Sequence, residues 1–192
     1  MSATPGPGAD TAPTPRFFAV SAVKLSVLSI ASLGMYDVYW FYQQWKFERA
    51  QTGEPLSLFW RAFFSPLFAY SLFKRIRGEG ARLTGVPALS AGAMATAYFI
   101  MLGCWRLPDP YWLITIFSFL PLLPAQRTAN AINAQLTPEA PRNDHFSGAN
   151  VALIIFGTLI LALTLLGLFL PPALDPLTPM TAPLHVARFL TP

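Results

Sequence analysis

Residues 147–170 read SGANVALIIFGTLILALTLLGLFL and contain no ionisable side chain. An uninterrupted apolar run of about 18 or more residues suffices to cross the roughly 30 Å hydrocarbon core of a bilayer as an α-helix. Asp144 and Ser147 stand where N-terminal capping groups belong, and Pro171 and Pro172 prevent the helix from continuing. Two further stretches, 83–105 and 110–126, also lack Asp, Glu, Lys and Arg. These are long apolar blocks without two-residue alternation, which predicts helices and argues against strands of a β-barrel.

Composition points the same way. The 192-residue chain is 54% hydrophobic and 11% charged, whereas a water-soluble domain carries about a quarter charged residues. So few charges cannot cover a globular surface in water. The predicted fold class is therefore all-α, a polytopic transmembrane helical bundle with a membrane domain over 17–170. Its crossings are expected at about 17–42, 88–105, 111–127 and 147–170. Residues 57–73 are apolar but short, with Arg61 inside and Pro66 at the middle. They are expected to form an interfacial or re-entrant helix; the alternative makes them a fifth crossing. Residues 1–16 and 171–192, rich in proline, are expected to be disordered tails. Arg16 is the only basic residue ahead of the first apolar segment and Lys24 interrupts it, so that segment is predicted to be a retained anchor.

The excess of basic residues, +4 overall with a pI near 9.5, is unevenly placed. Lys46, Arg49, Arg61, Lys74, Arg75, Arg77 and Arg82, seven of the thirteen, fall between residues 43 and 87. By the positive-inside rule this loop is cytoplasmic. With four crossings the N-terminus then lies outside; with five it lies inside. Lys74, Arg75, Arg77 and Arg82 are candidate contacts for anionic lipid headgroups, at about 1 kcal/mol each near the surface. No nucleic-acid motif accompanies the charge. The single cysteine, Cys104, excludes an intramolecular disulfide.

Candidate polar sites are few. Asp37 lies among interfacial aromatics in YDVYWFY, 36–42, where it is either a functional intramembrane acid or a group hydrated at the headgroups. Arg61 is a pairing candidate for Asp37 or for lipid phosphate. Gln126, Asn130 and Asn133 share one helix face, suited either to interhelical hydrogen bonds or to a polar pathway. Asn143, Asp144 and His145 form a polar loop. No catalytic, cofactor or metal motif is present; two histidines without ligand spacing do not make a metal site. Small residues recur every fourth position at Ala88, Gly92 and Thr96, at Ala91 and Ala95, and at Ala93 and Ala97, which lets helix backbones approach closely.

Residues 24–45, KLSVLSIASLGMYDVYWFYQQW, resemble a family of small, functionally uncharacterised bacterial inner-membrane proteins. The shared pattern is an apolar helix, then Gly, an aliphatic residue, Tyr, two residues and Tyr-Trp-Phe-Tyr. It falls on Gly34, Met35, Tyr36, Tyr39, Trp40, Phe41 and Tyr42, with Met35 replacing the aliphatic residue. FWRAFFSPLFAYSLF, 59–73, resembles the family's next block. The resemblance implies a multi-pass protein of a bacterial inner membrane and supplies no activity. The functional expectation is a non-enzymatic membrane component that packs against its own copies or a membrane partner. The alternative is a small oligomeric transporter or channel using Asp37 and the amide stripe.

Overall fold

The computed structural model describes residues 14–83 and 90–169. Most of the N-terminal tail, Ala88 of the small-residue series and the C-terminal tail lie outside the described residues. Those described form seven α-helices and two 3-10 segments, with no strand among them.

A non-helical stretch, 17–20, leads into α1, Ala22–Ala31, whose Ser21 side chain caps the Lys24 N–H at 3.1 Å. The helix stops at Leu33 and Gly34, which take left-handed φ values of 52° and 87°. Glycine enters that region freely, and it opens α2, Met35–Thr52. The single helix expected over 17–42 is therefore a non-helical entry, a ten-residue helix, a sharp turn and the first part of a second helix. Arg16 and Glu48 pair at 2.9 Å, so the chain leaves and returns at the same end of the molecule. The helix expected over 17–42 is thus broken at Leu33 and Gly34, and the Arg16–Glu48 contact brings the entry to α1 beside α2.

The 57–73 segment is also two pieces, α3, Leu58–Phe63, and α4, Ser65–Leu83. Pro66 does not kink a helix, because it occupies the first turn of α4, where the missing N–H costs nothing. The start of α4 meets α5, Ala91–Gly103, through Ser65 Oγ and Tyr98 OH at 3.1 Å. Its far end packs on α6, Leu122–Leu136, where a Cβ on Gly80 would press on the Thr128 methyl. Arg75 of α4 reaches Glu48 at 2.8 Å and Glu54 at 3.0 Å, which closes a second hairpin at the charged end.

Between α5 and α6 run 3-10 turns at Cys104–Arg106 and Tyr111–Phe117. The bent helix expected at 111–127 is absent for the same reason as before: Pro121 and Pro124 sit at the α6 N-terminus, not inside a helix. A third hairpin results. At the centre Trp40, Trp45, Phe41, Phe73 and Tyr98 are fully enclosed, with Trp40 edge-on to Phe41 at 5.0 Å and Phe41 5.2 Å from Tyr98.

Helix α7, Gly148–Phe169, stands apart. Among the described residues it alone is long and apolar enough to cross a bilayer, and Gly157 is its one buried residue. There it lies directly on the Ala31 carbonyl of α1, leaving no room for a Cβ. Gly157→Val is expected to force the two helices apart, at an overpacking cost of about 1–3 kcal/mol. Thermal unfolding in detergent should show a lowered midpoint for that variant and none for Gly167→Ala, where a Cβ meets open space.

Candidate functional site: a polar seam beneath a charged end

Residues 17–20 lie outside any helix, with Phe17, Phe18 and Val20 buried, so their backbone groups need other partners. Side-chain amides supply them. Asn133 accepts from the Phe17 N–H at 2.9 Å and donates to the Phe17 carbonyl at 2.8 Å. Gln44 of α2 does the same for Phe18, at 3.3 Å each way, and Gln126 donates to the Phe18 carbonyl at 3.1 Å. Asn130 holds the Val20 carbonyl at 2.9 Å and Asn143 the Ala19 carbonyl at 3.1 Å. The Gln126 Oε1 also accepts from Trp40 Nε1 at 2.6 Å and from Gln44 Nε2 at 3.0 Å.

The stripe of Gln126, Asn130 and Asn133 thus faces the chain's own backbone and α2. Gln126 and Asn133 are buried, while Asn130 and Asn133 also border a cavity of about 450 Å³.

Asp37 is 1% exposed, and its two oxygens accept from Ser29 Oγ and Ser118 Oγ, each at 2.6 Å. The carboxyl therefore ties α1, α2 and the turn before α6 together beside the Gly34 corner. Arg61 does not reach it. Its guanidinium lies over the rings of Trp45, 4.6 Å from the centroid, and Phe68, at 5.1 Å. Beneath it Trp45 Nε1 is buried without a hydrogen-bond partner.

Of the four basic candidates in α4, Arg75 is an ion-pair residue, while Lys74, Arg77 and Arg82 are exposed. Glu48 joins Arg75 to Arg16; its hydrogen bond to Arg75 is the main reason that guanidinium is held more firmly protonated than usual. Glu79 accepts a weaker approach from Arg16 at 3.8 Å and from Arg82 at 3.7 Å. Among the described residues no three of His, Cys, Asp and Glu gather closely enough to hold a metal ion.

Glu48 and Gln44 are not singled out by the sequence, and Arg16, Lys24 and Asn143 stand out there without these partners. A signal existed for two of them: Asp37, Gln44 and Glu48 recur with Trp40, Phe41 and Trp45 on one face of α2. Polar residues in register with buried aromatics mark a seam.

Asn133→Leu is expected to orphan both Phe17 backbone groups and to lower unfolding free energy by about 2–6 kcal/mol, at 1–3 per group. Asn130→Ala, which loses one bond to the Val20 carbonyl, should cost about 1 kcal/mol. Denaturant unfolding in micelles, with Arg77→Ala as the unchanged control, measures both. The chain matches no family model, and no curated protein or solved structure is significantly similar to it.

Proposed function

We propose that the chain is a non-enzymatic integral membrane component, embedded from its charged end and packing within the bilayer against a second copy or another membrane protein. The observation that carries this is the gathering of Arg16, Glu48, Glu54 and Arg75 at one end. The helices leading away from that end are apolar and outwardly exposed. Met35 is 70% exposed, Leu67 68% and Trp105 67%, and nearly all of α7 is bare. An apolar surface of that extent is not compatible with a monomer in water.

Helix lengths favour a topology other than four full crossings. The apolar part of α4, 65–73, is about 13 Å long and α5, with 13 residues, about 20 Å, at 1.5 Å per residue. A hydrocarbon core is about 30 Å thick, so the three hairpins fit a depth of roughly one leaflet. Helix α7, with 22 residues, is about 33 Å long and fits a complete crossing. The polar halves of α2, α4 and α6 then stand at the headgroups. Lys74, Arg77 and Arg82 face anionic lipid there, and by the positive-inside rule that side is cytoplasmic. The resemblance of residues 24–45 favours a bacterial inner membrane.

Lateral association is supported by the bare flank of α7 and by α5. In α5, Ala91 and Ala95 face inward and are buried, while Ala93 and Thr96 are exposed on the outer side. The outer small residues are free to admit another helix at close range.

Single cysteines in a Cys104→Ser background test the topology. Thr14→Cys, Gln51→Cys and Gly78→Cys should all react with an impermeant thiol reagent from the same side, and a cysteine appended after Pro192 from the other. Four crossings place Thr14 opposite Gly78, and five place Gln51 opposite Gly78, so either split refutes the proposed embedding. Cross-linking in native membranes should trap a dimer or a heterologous adduct; a strictly monomeric, partner-free chain removes the packing role.

A further inference from the structure

Between α7 and the α1–α2 hairpin lies a cleft of about 550 Å³. Its two ends differ. At one end is Lys24, 4% exposed, with Asn150 and the His145 loop; along the other run Met35, Tyr36, Tyr39 and Leu153. The Lys24 ammonium donates to Asn143 Oδ1 at 2.8 Å and to the His145 carbonyl at 2.7 Å. An ammonium has three N–H donors, so one makes no hydrogen bond; the Phe146 ring lies 6.0 Å from the nitrogen and supplies no anion. Both partners are neutral, and among the described residues no carboxylate lies within ion-pair distance; Asp144 contributes only a longer-range field.

A buried cation without an anion is costly, and charged groups taken out of water are ordinarily paired. The amides and carbonyl that hold Lys24 orient the ammonium without neutralising it. Next to it, the N-terminus of α7 adds its own positive end, closed by reciprocal bonds between Ser147 and Asn150. The remaining wall, Met35, Tyr36, Tyr39 and Leu153, is made mainly of apolar and aromatic surface.

We propose that this cleft holds one anionic amphiphile, its phosphate or carboxylate headgroup at Lys24 and its acyl chain along Met35, Tyr36, Tyr39 and Leu153. The site rests on the membrane embedding proposed above, which delivers the ligand laterally from the surrounding leaflet. It differs from the exposed cluster at Lys74, Arg77 and Arg82, which meets headgroups as a surface and encloses none. With a lipid in place, α7 gains contacts to α2 that the Gly157–Ala31 crossing alone does not provide, so the ligand also bears on the angle at which α7 leaves the hairpins.

The full chain, purified in detergent and stripped of lipid, is titrated with dioleoyl phosphatidylglycerol, oleate and dioleoyl phosphatidylcholine and examined by native mass spectrometry. One tightly held anionic amphiphile is expected, with phosphatidylcholine at least tenfold weaker; whichever of the two anions is retained identifies the source. Lys24→Gln should weaken it by about tenfold or more, the loss of one charged hydrogen bond. Met35→Trp, at an exposed position, should obstruct the chain groove without disturbing the core. Lys74→Gln should change nothing. Equal binding of all three amphiphiles, or wild-type binding by both Lys24→Gln and Met35→Trp, overturns the site. Flotation of the same proteins with vesicles separates the two proposals: a wild type that does not float defeats both, whereas floating variants with unaltered lipid retention defeat only the cleft.

Discussion

Four residues of non-helical backbone, Phe17 to Val20, carry the constraint on which the rest of the structure depends. A strand in a sheet would satisfy its N–H and C=O groups with a neighbour, and among the described residues this segment has no strand beside it. In a core of low dielectric an unsatisfied peptide group costs more than almost any packing defect, so each must find a partner. Gln44, Gln126, Asn130, Asn133 and Asn143 provide them from α2, α6 and the loop before α7. Because these amides come from two helices and a loop, meeting the needs of one short segment also sets where α2 and α6 stand relative to each other. Trp40, bonded to the same Gln126 oxygen, ties the aromatic core to that arrangement.

The hairpins follow from where the backbone can reverse. Leu33 and Gly34 take left-handed angles, and proline stands in the first turns of α4 and α6. Each reversal comes at the apolar end, and each pair of helices returns toward the charged one. There Glu48 accepts from two arginines of distant sequence, Arg16 and Arg75. Such a shared carboxylate works as a latch: its worth lies less in net stability than in the register it imposes, since removing it leaves Arg75 only Glu54 and Arg16 only the longer approach to Glu79. Helix α2 shows the division along its own length, aromatic from Met35 to Tyr42 and polar from Gln43 to Thr52.

Several side chains have functions that composition suggests but does not resolve. Trp40 and Trp45 belong to an aromatic stretch expected at a membrane edge, yet both are fully buried, whereas Trp60 and Trp105 are exposed. An indole serves equally well at an interface and in a core, so its identity does not decide between them. Asp37 is buried and closed in by two serines from separate segments. Ser29 lies eight residues away across the Gly34 turn and Ser118 lies 81 away, and no local pattern announces either. The amide stripe was legible as one helix face; its principal partner, a stretch of non-helical backbone more than a hundred residues away, was not.

The amino-acid sequence by itself determined that the described residues are helical, that the stretch holding Gly148–Phe169 forms a long apolar helix, and that basic residues collect between 43 and 87. Those properties are sums over windows of side chains, and the free energy of transferring each from water is nearly the same wherever the chain goes. Tertiary structure alone decided that the other apolar stretches turn back on themselves. Whether a helix continues or reverses depends on a left-handed φ at two residues, and on an ion pair between positions 16 and 48. Such pairwise geometry exists only once distant segments have met, so no average along the chain contains it.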